Sequence, residues 1–169
     1  FSLRIMKSLI GKFDKECLLC ATHSMAEHLR KTSITTSDKR FSSQRCWIKD
    51  IKPIIRLWPH DSKLLTDEIR HYFALIVFYA GKVMKEAKDS LQWALAPIND
   101  AERFLFQIDD SPILSHFPEE SLALIHLIVR NPKWGLDSLQ KCIQTIVKAR
   151  PGLKQNTAYI ELAKIAQLG

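Results

Sequence analysis

The sequence predicts an all-α fold of seven to eight helices. Three observations point there. Apolar residues recur at three- and four-residue steps along most of the chain, Gly is scarce at 5 in 169 residues, and the 7 Pro fall mostly where one periodic segment ends and the next begins. A chain of β-hairpins needs more tight-turn glycine than this.

Residues 2–31 read as one amphipathic helix, with Met6, Ile10, Phe13, Cys17, Cys20, Met25 and Leu29 as its apolar stripe. Gly11 is a weak point in it, costing about 1 kcal/mol relative to Ala. The hydroxyl-rich run 32–39 predicts a loop, because such side chains compete with the helix for backbone hydrogen bonds. Ser37 or Asp38 then stands where a second helix, 39–57, needs its N-cap. That helix turns Trp47, Ile48, Ile51, Ile54 and Ile55 inward, ends on Leu57 and Trp58, and is kinked or split by Pro53.

Asp61 or Ser62 is placed to cap a third helix over 62–88. Its centre, Tyr72–Ala80, is apolar throughout and suits a buried strand as well as a helix. The flanks decide: Leu64, Leu65 and Ile69 before the run, and Val83, Met84 and Ala87 after it, keep helical spacing. A helix apolar on nearly all sides belongs at the centre of a pack. Asn99 and Glu102 form a capping-box pattern ahead of a short helix at 100–108, with Phe104, Leu105 and Ile108 inward.

Three capped, apolar-striped blocks follow, Phe117–Arg130, Leu136–Arg150 and Asn156–Leu168. The first starts on Pro118-Glu-Glu120, which puts Pro at N1 and acids where the helix dipole favours them. Short connections predict antiparallel neighbours. The expected architecture is an orthogonal or antiparallel bundle grading into a HEAT-like helical stack. It is read as a single domain over 1–169: basic helices at 1–57, a central buried helix and a short helix at 58–110, and a three-helix stack at 111–169.

Composition excludes several classes. At 46% hydrophobic and 25% charged residues the chain is globular, not disordered. The N-terminal segment is charged throughout and has no apolar core of the signal-peptide kind. The run Tyr72–Ala80 is about half of the ~18 residues that suggest a membrane span. A soluble protein with no membrane partner is expected. The four cysteines, Cys17, Cys20, Cys46 and Cys142, lack the spacing of a secreted disulfide scaffold, so reduced thiols and a cytoplasmic setting are expected. The first residue, Phe1, suggests a segment of a longer protein.

The net charge of +7 is unevenly spread: +7 over residues 1–56, −3 over 57–116 and +3 over 117–169. A solvated basic face accounts for this, and so does attraction of a polyanion. In the second case Lys31, Lys39, Arg40, Arg45, Lys49, Lys52 and Arg56 contact phosphates, with Phe41 or Trp47 stacking on unpaired bases.

Cys17, Cys20 and His28 make a candidate thiolate–imidazole set for Zn²⁺. Their place on one continuous helix favours core packing for the cysteines instead. His60-Asp61 is a candidate oriented imidazole, more simply read as part of a helix start. His126 sits at the edge of an apolar stripe. The acid pairs Asp109-Asp110 and Glu119-Glu120 match helix ends. No catalytic residue and no cofactor are expected.

The segment Ser111-Pro-Ile-Leu-Ser-His-Phe-Pro-Glu-Glu-Ser-Leu-Ala-Leu-Ile, with Asn131-Pro-Lys-Trp-Gly-Leu-Asp-Ser-Leu after it, resembles the helical C-terminal regions of large bacterial proteins. Among these are multidomain proteins associated with anti-phage defence that carry a nuclease, NADase or ATPase module upstream. The resemblance covers about the last 60 residues of the chain, and rests on a Pro-Glu-Glu helix start, an aliphatic helix and a Trp-containing turn. It implies the recognition or scaffolding end of a larger chain, bound to a protein partner or to upstream domains, and carries over no catalytic residue.

Overall fold

Proline, glycine and side-chain caps set where the helices of this chain start and stop. The computed structural model describes residues 14–35, 39–129 and 136–167; among them the regular elements are helical and there is no strand. The chain divides into two compact units, Phe1–Leu95 and Ala96–Gly169.

The first unit holds α1 (Lys15–Thr35), α2 (Lys39–Cys46), a π turn (Trp47–Ile51), α3 (Lys52–Ile55), α4 (Asp67–Tyr79) and α5 (Met84–Leu91). Its centre is α4. Every residue from His71 to Ala80 is buried, with Phe73, Ile76 and Phe78 at 0% exposure. Each such side chain withdrawn from water is worth about 1.5–3 kcal/mol. α1 packs against α4, α2 packs against α1, and α3 packs against α5.

The expected continuous helix 62–88 is four pieces, two 3₁₀ turns and the helices α4 and α5. Asp61 accepts a hydrogen bond from the Lys63 amide at 2.9 Å and starts only a 3₁₀ turn, Ser62–Leu64. The α-helix is capped by Thr66, whose hydroxyl accepts from the Ile69 amide at 3.3 Å, with Asp67 and Glu68 in its first turn. It ends before Gly81, which takes φ 56° and opens the 3₁₀ turn Gly81–Val83. That left-handed backbone costs an L-residue about 1–2 kcal/mol and costs glycine nothing. Breaks of this kind raise the number of α-helical segments above the seven to eight expected.

In α1 the buried stripe is Leu18, Ala21, Thr22, Met25, Ala26, Leu29 and Ser33, whereas Cys17 and Cys20 are exposed. The expected stripe is thus correct at Met25 and Leu29 and one position off at the cysteines. Thr22 is buried because its hydroxyl bonds back to the Leu18 and Leu19 carbonyls at 3.0 and 2.9 Å. Thr32 and Ser33 turn their hydroxyls back on the helix in the same way, and the helix runs to Thr35, into the segment expected to be loop. The expectations for Met6, Ile10, Gly11, Phe13, Ser37 and Asp38, and for the turn at 130–135, fall outside the described residues.

The second unit comprises α6 (Ala101–Ile108), α7 (Ile113–His116), α8 (Pro118–Ile128), α9 (Leu136–Ala149) and α10 (Thr157–Gln167). Asp100, one residue after the expected Asn99, caps α6 by accepting from the Arg103 amide at 3.3 Å. Pro118 stands at N1 of α8 as expected. α9 is the hub: it packs against α6, α7, α8 and α10, burying Leu139, Cys142, Ile143, Ile146 and Val147. Polar ties run between these helices. Arg150 meets Glu119 at 2.7 Å, Lys141 meets Asp110 at 2.6 Å, and Ser138 donates to Asp109 at 3.0 Å. The two acid pairs therefore link helices as well as sitting near helix ends.

Phe78→Ala is expected to cost about 3–5 kcal/mol and Gly81→Ala at least about 1–2 kcal/mol. A Cβ added at Gly152 meets nothing within 4 Å, so Gly152→Ala is expected to be near neutral. Urea unfolding of the three variants checks this ordering.

Candidate functional site

The segment from α2 through α3 carries most of the basic residues singled out in the sequence. Arg45, Lys49, Lys52 and Arg56 recur at steps of four, three and four, the spacing of one helix face. Arg45, Lys49 and Arg56 are exposed and Lys52 is half-buried. Trp47, Ile51, Ile54 and Ile55 are buried and anchor the segment. Ile48, expected inside, is 47% exposed, and Leu57, at the end of the segment, is 44% exposed; both add aliphatic surface among the cations.

Pro53 explains the π turn. It has no N–H to donate, and its ring crowds the carbonyl four residues back. The chain widens instead, and the Lys52 amide donates to the Trp47 carbonyl, five residues back.

Glu86 of α5 ties this segment to the body of the unit. Its carboxylate pairs with the Lys52 ammonium and accepts a hydrogen bond from Trp47 Nε1 at 3.2 Å. Those two hydrogen bonds, led by Lys52, hold the Glu86 carboxyl below its ordinary value of 4.5. Around it lies an open groove lined by Lys82, Val83, Lys85, Glu86, Asp89 and Ser90.

The remaining nucleic-acid candidates divide. Lys31 is exposed on α1. Lys39 and Arg40 lie in the first turn of α2, and their side chains, like that of Phe41, fall outside the described part of the structure. Trp47 is 0% exposed and hydrogen-bonded to Glu86, which corrects its expected role as a base-stacking aromatic.

The candidate metal set is also rearranged. Cys17 and Cys20 face solvent on α1. His28, further along the same helix, is grouped instead with Cys46 and Asp50: one donor atom from each lies within 4.8 Å of the others. His28 Nε2 is 3.9 Å from Asp50 Oδ2. Sequence reasoning missed this group because it assembles residues from two helices; its only local trace is the four-residue spacing of Cys46 and Asp50.

The histidines are engaged in structural contacts. His60 stacks on Trp93 with ring centroids 4.3 Å apart, and Trp93 in turn meets Phe73 edge-on at 5.6 Å. His116 Nδ1 lies 2.7 Å from the Pro112 carbonyl, and His126 Nε2 lies 2.6 Å from Glu161. His126 is half-buried, a boundary residue as expected. Burial pushes the Cys46 thiol up to about 11 and the Cys142 thiol up to about 12, so both are protonated at neutral pH.

The fold and these groupings define a class, an all-α chain whose described helices are each too short or too polar to cross a membrane. No protein-family model, no curated protein and no solved structure matches it.

Glu86→Ala is expected to cost about 1–2 kcal/mol at neutral pH, because it leaves the Trp47 N–H and the Lys52 ammonium without their acceptor. Because the folded-state pKa is lowered, the carboxylate's contribution is complete above its ordinary value and is lost as pH falls through the lowered one. The stability gap between Glu86→Ala and the parent chain should therefore narrow progressively below pH 4.5, as denaturant midpoints at neutral and acid pH will show.

Proposed function

We propose that this chain is a non-catalytic helical interaction module, the C-terminal domain of a larger bacterial protein, that binds a protein partner or the upstream domains of its own chain. The observation that carries the reading is the mixed face of Arg45, Ile48, Lys49, Arg56 and Leu57, set on a segment whose other side is anchored in the core. Cations steer an acidic partner towards this face, and burial of Ile48 and Leu57 adds affinity that charge alone lacks. A cytoplasmic setting fits the four free thiols.

The HEAT-like element of this reading rests on the second unit. There α8, α9 and α10 pack on one another, and the 3₁₀ turn Pro151–Gln155 links the last two. Such stacks present extended faces to large partners.

A second reading, nucleic-acid binding through residues 31–56, is favoured by one observation, the face spacing of Arg45, Lys49, Lys52 and Arg56. With Trp47 buried, it takes the form of phosphate binding without base stacking.

Two variants separate the readings. For the interaction module, calorimetry of the chain with the upstream part of its parent protein should give binding that both Ile48→Ser/Leu57→Ser and Arg45→Ala/Lys49→Ala/Arg56→Ala weaken at least about 10-fold. Binding untouched by both variants removes this reading. For nucleic acid, affinity should fall steeply with salt, and the triple variant should flatten the log–log slope by about 0.9 for each phosphate it no longer neutralises. The Ile48/Leu57 variant should leave that slope unchanged.

A further inference from the structure

His28, Cys46 and Asp50 bring together three donors of different chemistry, from two packed helices and the π turn that follows the second. His28 is in the second half of α1; Cys46 is the last residue of α2, and Asp50 lies in the π turn that follows. None of the three belongs to the cation face or to the hydrophobic anchor of Trp47, Ile51, Ile54 and Ile55.

The donor set is selective. One thiolate, one imidazole nitrogen and one carboxylate oxygen suit Zn²⁺, a borderline-soft ion that is tetrahedral with N, S and O ligands. Calcium and magnesium need oxygen ligands and would leave the sulfur unused. Tetrahedral ligands at zinc bond lengths lie about 3.3–3.8 Å apart. The donor atoms here lie within 4.8 Å of one another, and the His28–Asp50 pair is already at 3.9 Å. Closing the set on one ion therefore brings the donors about 1 Å nearer one another.

Access and surroundings fit as well. The Cys46 side chain is buried, whereas His28 and Asp50 are 55% and 48% exposed. An ion arriving from solvent thus meets the imidazole and carboxylate first and the sulfur at the floor.

We propose that His28, Cys46 and Asp50 form a Zn²⁺ site with three protein ligands, its fourth position taken by water. On binding, the Cys46 S–H bond breaks, its proton passes to solvent, and the sulfur donates its electron pair to the metal without any change of oxidation state. The ion ties α1 to the end of α2 and to the π turn, and so stabilises the first unit.

Titration of the reduced chain with Co²⁺ tests this. The expected result is saturation at a single ion per chain, thiolate-to-Co²⁺ charge-transfer absorption, displacement of that signal by Zn²⁺, and a rise in melting temperature with either metal. Cys46→Ser should abolish the charge-transfer band. His28→Ala and Asp50→Asn, at half-exposed positions that leave the core intact, should each weaken binding at least about 10-fold. A Cys17→Ser/Cys20→Ser double variant should bind as the parent does. The proposal is overturned by the absence of a charge-transfer band, by a band that survives Cys46→Ser, by one that disappears in the Cys17/Cys20 variant, or by affinity unchanged in both His28→Ala and Asp50→Asn. If Cys46→Ser fails to fold, the two exposed-ligand variants decide the matter.

Discussion

The first unit depends on a single constraint: a helix with no side for water. From His71 to Ala80 every side chain of α4 is buried, so a covering layer has to be found on all sides. α1 supplies one cover with Leu18, Met25 and Leu29, and α5 packs against it as well. The polar groups in these layers follow from the same demand. Thr22 turns its hydroxyl back on its own helix, and Trp47 finds Glu86, because a buried polar atom left unpaired is costly.

The second unit solves the same problem differently. α9 is amphipathic, not uniformly apolar, and serves as hub by facing four neighbours along one side while Gln140, Lys141, Gln144 and Lys148 stay in water. Its ion pair with Asp110, and that of its neighbour Arg150 with Glu119, lie at the surface, where such pairs add little stability.

The helices were legible in the sequence to the extent that periodicity reports burial. Pro118, the stripe of α9 and the apolar run of α4 were clear because hydrophobicity and helix punctuation agree there. Cys17 and Cys20 misled because cysteine and leucine look alike to a periodicity argument, and the true register admits Thr22, whose polarity is cancelled by a bond visible only in three dimensions. Gly81 is inconspicuous for the opposite reason: one glycine inside a periodic run is a minor penalty in a helix, and only the backbone angle reveals that the helix has ended. The basic face was legible as charge, but not which cation is already spent on Glu86. The grouping of His28 with Cys46 and Asp50 leaves no trace but the four-residue spacing of the last two, since the sequence does not say how α1 meets the π turn.

The break at Gly81 has a consequence for what happens when this packing fails. It confines the apolar residues to a run, Tyr72–Ala80, that has no charge and no proline and is rich in aromatic and β-branched side chains. Such a run is helical only while α1 and α5 cover it; released, it has the composition of an aggregation-prone strand. Arg70 on one side and Lys82 on the other are the nearest charges that could keep two exposed copies apart. Damage to the first unit should therefore surface as self-association through this segment before it surfaces as a soluble unfolded chain, and the covering helices serve as much to keep copies of the protein apart as to hold one copy together.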